Sequence, residues 1–347
     1  MTSDAGPAAA DGKGWRPVQP TGTMRAVVQE RYGLAEVMHL AQVDIPTMGD
    51  DDVLLRVRAA GLHIGDWHLM AGTPRLMRLM GFGFRGPKAR VRGSDVAGTV
   101  VSVGAKVDGL RAGDDVFGNC DGAFAEYATA RPDTLATKPS NLSFEEAASV
   151  PTSACTALQA LRAAGTIGPG QQVLVVGASG GVGLFAVQIA KAYGAEVTGV
   201  CSTAKVDLVR SVGADQVIDY TEQEVTEAGQ RYDVILDLGG TRTLTGLRRI
   251  LTPKGSLVLV GGEGGGNLIG GALLRSLRAL MLGPFVSQKL RMILAAAKAE
   301  DLETLRNLIE AGTVTPVIDT TYPLSGVPEA MGQLHAGHPR GKLAITV

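Results

Sequence analysis

The stretch VLVVGASGGVGLFAVQIAKAYGA, from Val173 to Ala195, decides the fold of this chain. An apolar run typical of a buried strand leads into a glycine-rich turn, and a segment with helical periodicity follows the turn. Residues Ala178 to Gly183 have the G-x-G-x-x-G spacing, with alanine in the first position. Such a turn either cradles a nucleotide or simply connects a strand to a helix.

The position of the turn between a strand and a helix favours nucleotide binding. Gly180 allows the backbone to approach a pyrophosphate, and Gly183 lets the helix pack on the strand. The start of the helix offers free N–H groups to the anion. A purely structural turn is the alternative. The sequence predicts a dinucleotide site formed by Ala178, Ser179, Gly180, Gly181, Val182 and Gly183.

The end of the next predicted strand, VCSTAK, favours NADPH over NADH. A protein that prefers NAD usually carries an acidic residue there, which binds the ribose hydroxyls. Here Ser202 and Thr203 supply neutral donors and Lys205 supplies a positive charge, a set compatible with a 2′-phosphate. These hydroxyls could also cap the following helix, which does not exclude the first interpretation.

The chain of 347 residues is long enough for two domains, and two patterns divide it. Residues 146–288 alternate between strands and helices, which predicts a doubly wound parallel sheet of the Rossmann type in an α/β fold. Residues 24–145 contain short alternating strands with frequent turns, which predicts a mostly antiparallel β domain. We assign residues 289–347 to this β domain as a returning segment.

Composition limits the classes of partner. The formal net charge of -1 gives no electrostatic reason to bind nucleic acid or an anionic membrane. The 3 cysteines are widely spaced, as in proteins of a reducing compartment. Residues 1–23 have the composition of a disordered leader and lack the apolar core of a signal peptide. We expect a cytoplasmic protein with no membrane-spanning segment.

Beyond the glycine turn, several segments resemble the medium-chain dehydrogenase/reductase superfamily, in particular its zinc-independent quinone oxidoreductase-like branch. The resemblance covers residues 24–347. It implies a GroES-like substrate domain beside a Rossmann domain. The segments that carry it are AAGLHIGDWHLMAG, RGSDVAGTVVSVG, GDDVFG, GAFAEYA, ASVPTSACTALQAL, SVGADQVIDY and the terminal GKLAITV.

Zinc enzymes of this superfamily differ from the chain at the metal ligands. The resemblance places His63 and Ser94 at the first two ligand positions, with Asp95 next to the second, and Thr152 at the remaining one. A catalytic zinc needs three protein ligands in one cluster, and serine and threonine are not customary ones. We therefore predict no metal site.

The resemblance implies an NADPH-dependent enzyme that reduces a quinone, or the C=C bond of an α,β-unsaturated carbonyl, by direct hydride transfer. Without a metal, one or two hydrogen-bond donors must stabilise the negative charge that develops on the substrate oxygen. Two alternatives stay open: a carbonyl or alcohol oxidoreductase of the same superfamily, and a non-catalytic NADPH-binding protein.

The candidate catalytic residues are His63, Asp66 and His68. His63 lies where quinone oxidoreductases often carry asparagine, and it could donate to the substrate oxygen or protonate it. A histidine satisfied inside the β domain is an equally plausible interpretation. Asp66 holds an acidic position that is more readily structural. His68 matches the proton-relay histidine of zinc enzymes, but Gly65 replaces the relay hydroxyl, which indicates a broken relay.

The resemblance also implies further cofactor contacts. Thr156 matches a threonine that lies against the nicotinamide, and other matching positions are Tyr220, Gly239, Gly261, Gly262 and Lys342. Each has a structural alternative, such as a helix interior or a strand-end turn. The insertion at 70–90 is either an apolar lid over the cleft or ordinary packing. The region 261–288 contributes to dimers in relatives, so we expect a homodimer.

Overall fold

The computed structural model describes residues 20–347 apart from 77, 79–82, 228, 262–270, 338 and the side chains of 271–274. Most of the leader predicted at 1–23 therefore lies outside the described residues. The strands are β1 (Thr23–Gln29), β2 (Met38–Asp44), β3 (Val53–Leu62), β4 (Asp95–Val103), β5 (Asp115–Asn119), β6 (Tyr127–Ala130), β7 (Leu135–Thr137), β8 (Gln172–Val176), β9 (Glu196–Cys201), β10 (Gln216–Asp219), β11 (Tyr232–Asp237), β12 (Leu251–Leu259), β13 (Lys289–Met292), β14 (Ile318–Pro323) and β15 (Lys342–Thr346). The helices are α1 (Ile64–Ala71), α2 (Phe144–Ala148), α3 (Pro151–Ala164), α4 (Gly181–Ala192), α5 (Val206–Ser211), α6 (Leu244–Arg249), α7 (Gly271–Leu282), α8 (Ala299–Glu310) and α9 (Val327–His335).

A parallel sheet forms the core of the second domain, in the order β10-β9-β8-β11-β12-β13. Val173 and Val175 of β8 pack in the core that also contains residues of α3 and α4. Leu174 and Val176 pack in the core on the opposite face, with residues of α6 and α7. Because β8 is apolar on both faces, helices must cover both sides of the sheet. The predicted Rossmann-type α/β fold is confirmed.

Strand β13 belongs to the parallel sheet, because Lys289–Met292 pairs in parallel with residues 256–259 of β12. The domain boundary predicted at residue 289 is therefore wrong. The sequence KLRM is mostly exposed at the sheet edge, so it lacks the apolar run that marks a buried strand. Only the pairing with β12 reveals this strand.

The first domain is built on a mostly antiparallel sheet in the order β14-β15-β3-β4-β5-β7, with β6 also paired to β3. Strand β15 is antiparallel to β3 and parallel to β14, so the end of the chain completes this sheet. Leu55, Val96 and Leu343 share its buried core. This is the GroES-like β domain expected from the alternating pattern.

Two helices, α2 and α3, connect the domains. Ser143 caps α2 in a capping box with Glu146, whose backbone N–H donates to the serine hydroxyl at 3.1 Å. Pro151 then starts α3 at its first position, where the missing N–H does no harm. Helix α2 contacts β3 and β4, whereas α3 contacts α4. The break between α2 and α3 therefore marks the passage between the domains.

Candidate active site

The glycine turn after β8 is held by backbone contacts. Gly177 has a φ of +87°, which favours glycine, and the N–H groups of Gly177 and Ala178 donate to the Val200 carbonyl at 3.1 and 3.0 Å. A Cβ at Gly183 would lie 2.2 Å from the Gly177 oxygen, so α4 packs on the turn with no room for a side chain. The sequence analysis missed Gly177, because it took Ala178 as the first position of the motif.

The amino end of α4 offers free hydrogen-bond donors. The N–H groups of Gly181, Val182 and Gly183 have no acceptor among the described residues, since the first N–H groups of a helix have no helical carbonyl to bind. Ser179 is half-buried and Gly180 is exposed, so the turn is accessible from solvent. Free N–H groups at a helix start fit the diphosphate of a dinucleotide.

The turn after β11 lies beside the glycine turn. A Cβ at Gly177 would lie 3.3 Å from the backbone nitrogen of Gly239. Asp237, fully buried at the end of β11, accepts from the Gly240 N–H at 3.1 Å and from the Arg275 guanidinium. The two turns thus border the crevice where the strand order reverses, the usual ligand site of such sheets. Asp237 and Arg275 were not predicted from the sequence.

Two glycines, Gly261 and Gly262, were predicted to lie beside the nicotinamide, and the structure describes only the first of them. Gly261 follows β12 with a φ of +73°, and a Cβ there would meet no atom within 4 Å. Gly262, predicted beside the nicotinamide, lies outside the described residues. Because there is open space around Gly261, its positive φ explains the glycine, and close packing against other described residues does not.

The end of β9 carries the residues predicted to bind the 2′-phosphate. The Ser202 side chain makes no capping hydrogen bond to the following turn, which the alternative interpretation required of it. Thr203 shares a hydrogen bond of 2.8 Å with Thr221. The Lys205 ammonium donates to the carbonyls of Gly337 and Pro339, at 3.1 and 2.9 Å, in the first domain. Burial lowers the pKa of Lys205.

A carboxylate also lies at this site, contrary to the interpretation of an acid-free strand end. Strand β10 pairs in parallel with β9 and places Asp219 opposite Cys201. Hydrogen bonds from Thr203 and Thr221 hold the pKa of Asp219 below its usual value, so the group is charged at neutral pH. Asp219 was missed because it is distant in sequence and reaches the site only through strand pairing.

Tyr220 follows Asp219 at the same edge and is half exposed, with 50% of its surface accessible. The Arg242 guanidinium lies 5.7 Å from the centre of its ring. An aromatic face and a cation beside the end of β9 are suited to contact a ribose or adenine ring.

Lys342 connects the two domains at the glycine turn. Its buried ammonium donates to the Leu62 carbonyl at 2.6 Å and to the Ser153 hydroxyl at 2.9 Å. A Cβ at Gly181 would lie 3.0 Å from the Cδ of Lys342. Burial lowers the pKa of Lys342, and the carboxylates of Asp66 and Asp95 oppose this shift. The alternative of an exposed lysine is therefore wrong.

Thr156, predicted against the nicotinamide, lies on α3 one turn after Thr152. Its hydroxyl donates to the Thr152 carbonyl at 2.6 Å, and the residue is half-buried. Thr152 in turn contacts the buried carboxylate of Asp95 with its backbone N–H, at 3.2 Å. The structure therefore places Thr156 near the domain junction, next to the segment that the resemblance identifies with a ligand position.

His63 and Ser94 form the wall of the crevice opposite the glycine turn. The Nε2 atom of His63 lies 2.9 Å from the Ser94 Oγ and 3.5 Å from the Asp66 Oδ2. The imidazole lies over Gly65, because a Cβ there would be 2.8 Å from its Nδ1 and Cε1 atoms. His63 follows Leu62, whose carbonyl binds Lys342, so this wall and the start of α4 share one junction.

Asp66 is the buried carboxylate of this wall. Its Oδ2 accepts from the backbone N–H of His63 at 3.0 Å, which fixes the start of α1. Burial raises the pKa of Asp66, and the neighbouring His63 and Lys342 oppose the shift. The other end of α1 is held by cationic side chains, since Arg92 donates to Leu69 and Arg78 donates to Gly72.

His68 belongs to a different group of side chains. Its ring lies edge-on to Trp67 with the centroids 5.2 Å apart, and Trp67 stacks on His335 of α9 at 4.2 Å. The structure therefore brings His63 and Asp66 together and places His68 in an aromatic contact between α1 and α9.

The segment predicted as a lid is described only in part. Met77, Leu79, Met80 and Phe82 lie outside the described residues, and Phe84 is 70% exposed. The Arg78 guanidinium lies 4.3 Å from the centre of the Tyr32 ring, and the Tyr32 hydroxyl donates to the Gly83 carbonyl. These contacts fasten the described part of the segment to the first domain.

The side chains at the zinc-ligand positions of relatives do not fit a zinc ion. The Nε2 of His63 is occupied by its contact with Ser94, and Asp95 binds Asn119 and Thr152 at 2.7 and 2.5 Å. Within the described residues, no three His, Cys, Asp or Glu side chains are grouped closely enough to hold a metal ion. The hydroxyls of Ser94 and Thr152 replace two of the usual ligands.

The fold and the crevice define a two-domain dinucleotide-binding oxidoreductase, and comparisons with known proteins agree. Residues 49–141 match the alcohol dehydrogenase GroES-like domain, and residues 212–345 match the family described as zinc-binding dehydrogenase. The 2-methylene-furan-3-one reductase of Solanum lycopersicum is 33% identical over 93% of this chain and 79% of its own. The chloroplastic NADPH-dependent alkenal/one oxidoreductase of Arabidopsis thaliana is 32% identical over the same shares.

A solved structure gives the same result for the whole fold. The quinone oxidoreductase from Coxiella burnetii superposes with a TM-score of 0.82 at 28% identity, covering 94% of this chain and 100% of that one. The chain belongs to the medium-chain dehydrogenase/reductase superfamily, in its quinone oxidoreductase-like branch. It is an oxidoreductase with a nicotinamide cofactor and a small-molecule substrate.

Proposed function

We propose that this enzyme uses NADPH, without zinc, to reduce a quinone or the C=C bond of an α,β-unsaturated carbonyl. One observation carries the proposal: Lys342 joins the start of α4 to the segment that bears His63. This junction brings the free N–H groups of a dinucleotide cradle close to the side-chain hydrogen-bond donors of the first domain. The names of the tomato and Arabidopsis relatives support this class of substrate.

Bound NADPH would supply a hydride from C4 of its nicotinamide ring. The N–H groups of Gly181, Val182 and Gly183 bind the diphosphate, and Thr156 lies on the helix that faces the same junction. His63 and its neighbours stabilise the negative charge that develops on the substrate oxygen. A conjugated oxygen spreads this charge, so hydrogen bonds suffice where a simple ketone would need a stronger acid or a metal.

The preference for NADPH is proposed from the residues around the end of β9. Ser202 has a hydroxyl with no capping bond, and Lys205 brings a positive charge. Asp219 opposes a 2′-phosphate, because its charge has the same sign. We propose that the lysine and the hydroxyl outweigh this carboxylate, whose oxygens already accept hydrogen bonds from Thr203 and Thr221.

A homodimer and a cytoplasmic location complete the proposal. Leu280 and Met281 of α7 are 74% and 73% exposed, beside the edge strand β13, whose only partner among the described strands is β12. An apolar helix face next to an unpaired strand edge suits contact with a second copy. The three cysteines are buried free thiols, as expected in a reducing compartment. In the described part of the chain, no helix is long and apolar enough to cross a membrane.

The test is the oxidation of NADPH by the purified enzyme, followed at 340 nm, with a panel of quinones and enones and with simple ketones. We expect turnover with the conjugated acceptors and the same rates after incubation with a chelator. Turnover of simple ketones that the chelator abolishes would show a metal-dependent carbonyl reductase. Tight NADPH binding without turnover of any acceptor would show a binding protein.

A further inference from the structure

We propose that Ser94 is the residue that faces the substrate oxygen, and that His63 acts through it by donating its Nε2–H to the serine oxygen. This inference rests on the proposed function, because it assigns the donor within the same reaction. It differs from a direct role of His63, since it makes the serine hydroxyl the group that touches the substrate.

The geometry of Ser94 and His63 supports an arrangement in which the serine lies between the histidine and the substrate. Ser94 immediately precedes β4, and His63 immediately follows β3, so the antiparallel pairing of Gly61 with Asp95 brings the two residues together. The Ser94 Oγ lies 2.9 Å from the His63 Nε2 and makes no other hydrogen bond among the described residues. The His63 side chain is only 14% exposed, and Ser94 is half-buried.

The carboxylate of Asp66 decides which way the hydrogen bond runs. Its Oδ2 lies 3.5 Å from the same Nε2 atom, and a carboxylate beside a ring nitrogen favours the form in which that nitrogen carries a proton. The Nε2–H then donates to the Ser94 Oγ, which acts as acceptor. The hydroxyl proton of Ser94 is left to donate outward, into the crevice.

The Ser94 hydroxyl also lies on the correct side of the molecule. His63 follows Leu62, whose carbonyl accepts from Lys342, and the Lys342 side chain lies under Gly181 at the dinucleotide cradle. A substrate held between this cradle and the first domain would meet the wall at His63 and Ser94. A donor placed there acts on the oxygen where charge develops.

The proton transfers balance. When hydride reaches the β-carbon of an enone, a C–H bond forms and the π electron pair of the C=C bond moves toward the carbonyl oxygen. The enolate oxygen accepts a hydrogen bond from the Ser94 hydroxyl, whose oxygen accepts from the His63 Nε2–H. A solvent proton then adds to the enolate. Net consumption is one hydride and one proton.

The kinetic test compares Ser94→Ala with Ser211→Ala, which makes the same change at an exposed helix end where the hydroxyl binds only the Leu208 carbonyl. We expect Ser94→Ala to lower kcat with an enone by about 100-fold, while the KM for NADPH stays unchanged. Its primary isotope effect with deuterated NADPH should rise, because the chemical step alone has become slower. Ser94→Thr should retain most of the rate, and Ser211→Ala should match the wild type.

A second measurement is independent of turnover. In ¹⁵N-labelled enzyme without cofactor, His63 is identified among the 5 histidines by the signal that His63→Asn removes. We expect its Nε2 to show the shift of a protonated ring nitrogen at neutral pH, and to move in Ser94→Ala. An unprotonated Nε2 would overturn the inference, because Ser94 would then donate to the ring and not to the substrate.

The outcomes separate the two proposals. Wild-type turnover of enones, with Ser94→Ala within twofold of it, would overturn the role of Ser94 and leave the proposed function intact. A wild-type enzyme that oxidises no NADPH with any quinone or enone would overturn the proposed function, and the ¹⁵N measurement would still decide the Ser94–His63 hydrogen bond.

Discussion

The two walls of the crevice are built in different ways. The glycine turn at 177–183 is one short run of chain, and its donors are backbone N–H groups that any sequence with the right glycines would present. The opposite wall is made of side chains, since His63 and Ser94 are 31 residues apart and meet only because β3 pairs with β4. A backbone site depends on the glycines that shape its turn, whereas a side-chain site depends on the functional groups of individual residues. The following predictions test this contrast.

The largest effect is expected at Gly183. Gly183→Ala places a Cβ 2.2 Å from the Gly177 oxygen, so α4 must move away from the turn. We expect a loss of about 1–3 kcal/mol in the free energy of unfolding and a large rise in the Kd for NADPH. Gly180→Ala is the matched control, because its Cβ would meet nothing closer than 3.4 Å. Equal unfolding energies of the two variants, measured in urea, would contradict the packing argument.

The next effect concerns Lys205, whose ammonium binds the carbonyls of Gly337 and Pro339. Lys205→Met should raise the KM for NADPH by about tenfold and leave the KM for NADH nearly unchanged, because only NADPH has the 2′-phosphate. Lys254→Met, at an exposed position, is the control. An equal rise for both cofactors would show that Lys205 holds the two domains together and does not bind the phosphate.

A substitution at Asp219 is expected to have a smaller effect than Lys205→Met and to strengthen the preference for NADPH. Asp219→Asn removes a charge that repels a 2′-phosphate and keeps an oxygen that can accept from Thr203. We expect the ratio of kcat/KM for NADPH to that for NADH to rise by about fivefold, and the rise to shrink at high salt. An unchanged ratio would show that Asp219 lies too far from the bound cofactor to influence the preference between NADPH and NADH.

The smallest effect concerns the dependence of stability on pH. Burial raises the pKa of Asp66 above its ordinary value of 3.8, so protonation favours the folded state. This contribution is fully present below the unfolded pKa and is lost as the pH rises through the folded pKa. Asp66→Asn should therefore gain stability relative to the wild type as the pH rises from 3 toward neutrality, as measured by denaturant unfolding. A constant difference across this range would show an unshifted carboxyl.

The sequence predicted the Rossmann domain well because its signals are local. The apolar run of β8, the glycine turn and the start of α4 are contiguous, and each has a short-range physical cause. Strand β13 was assigned to the wrong domain because its short, mostly exposed edge sequence carries no such signal. Pro151 marks the break between α2 and α3, across which apolar residues continue.

The site residues also divide into those with a local sequence signal and those that only the tertiary structure brings together. Ser179 to Gly183 were predicted from spacing alone, whereas Gly177 lies one residue before the six-residue motif and was not predicted. Asp219, Asp237 and Arg275 could not be found, because strand pairing or helix docking brings each of them to the crevice. Ser94 was considered only as a missing zinc ligand, and its contact with His63 depends on the register of β3 and β4.

By itself the sequence determined the α/β class and the absence of customary zinc ligands at the positions that relatives use, and it predicted the dinucleotide cradle. These follow from residue type and near-neighbour spacing. Only the tertiary structure decided that Lys342 is buried between the domains, that Asp219 lies beside Thr203, and that Ser94 contacts His63. The physical reason is that hydrogen bonds and charges act over a few ångströms, and folding sets such distances independently of separation along the chain.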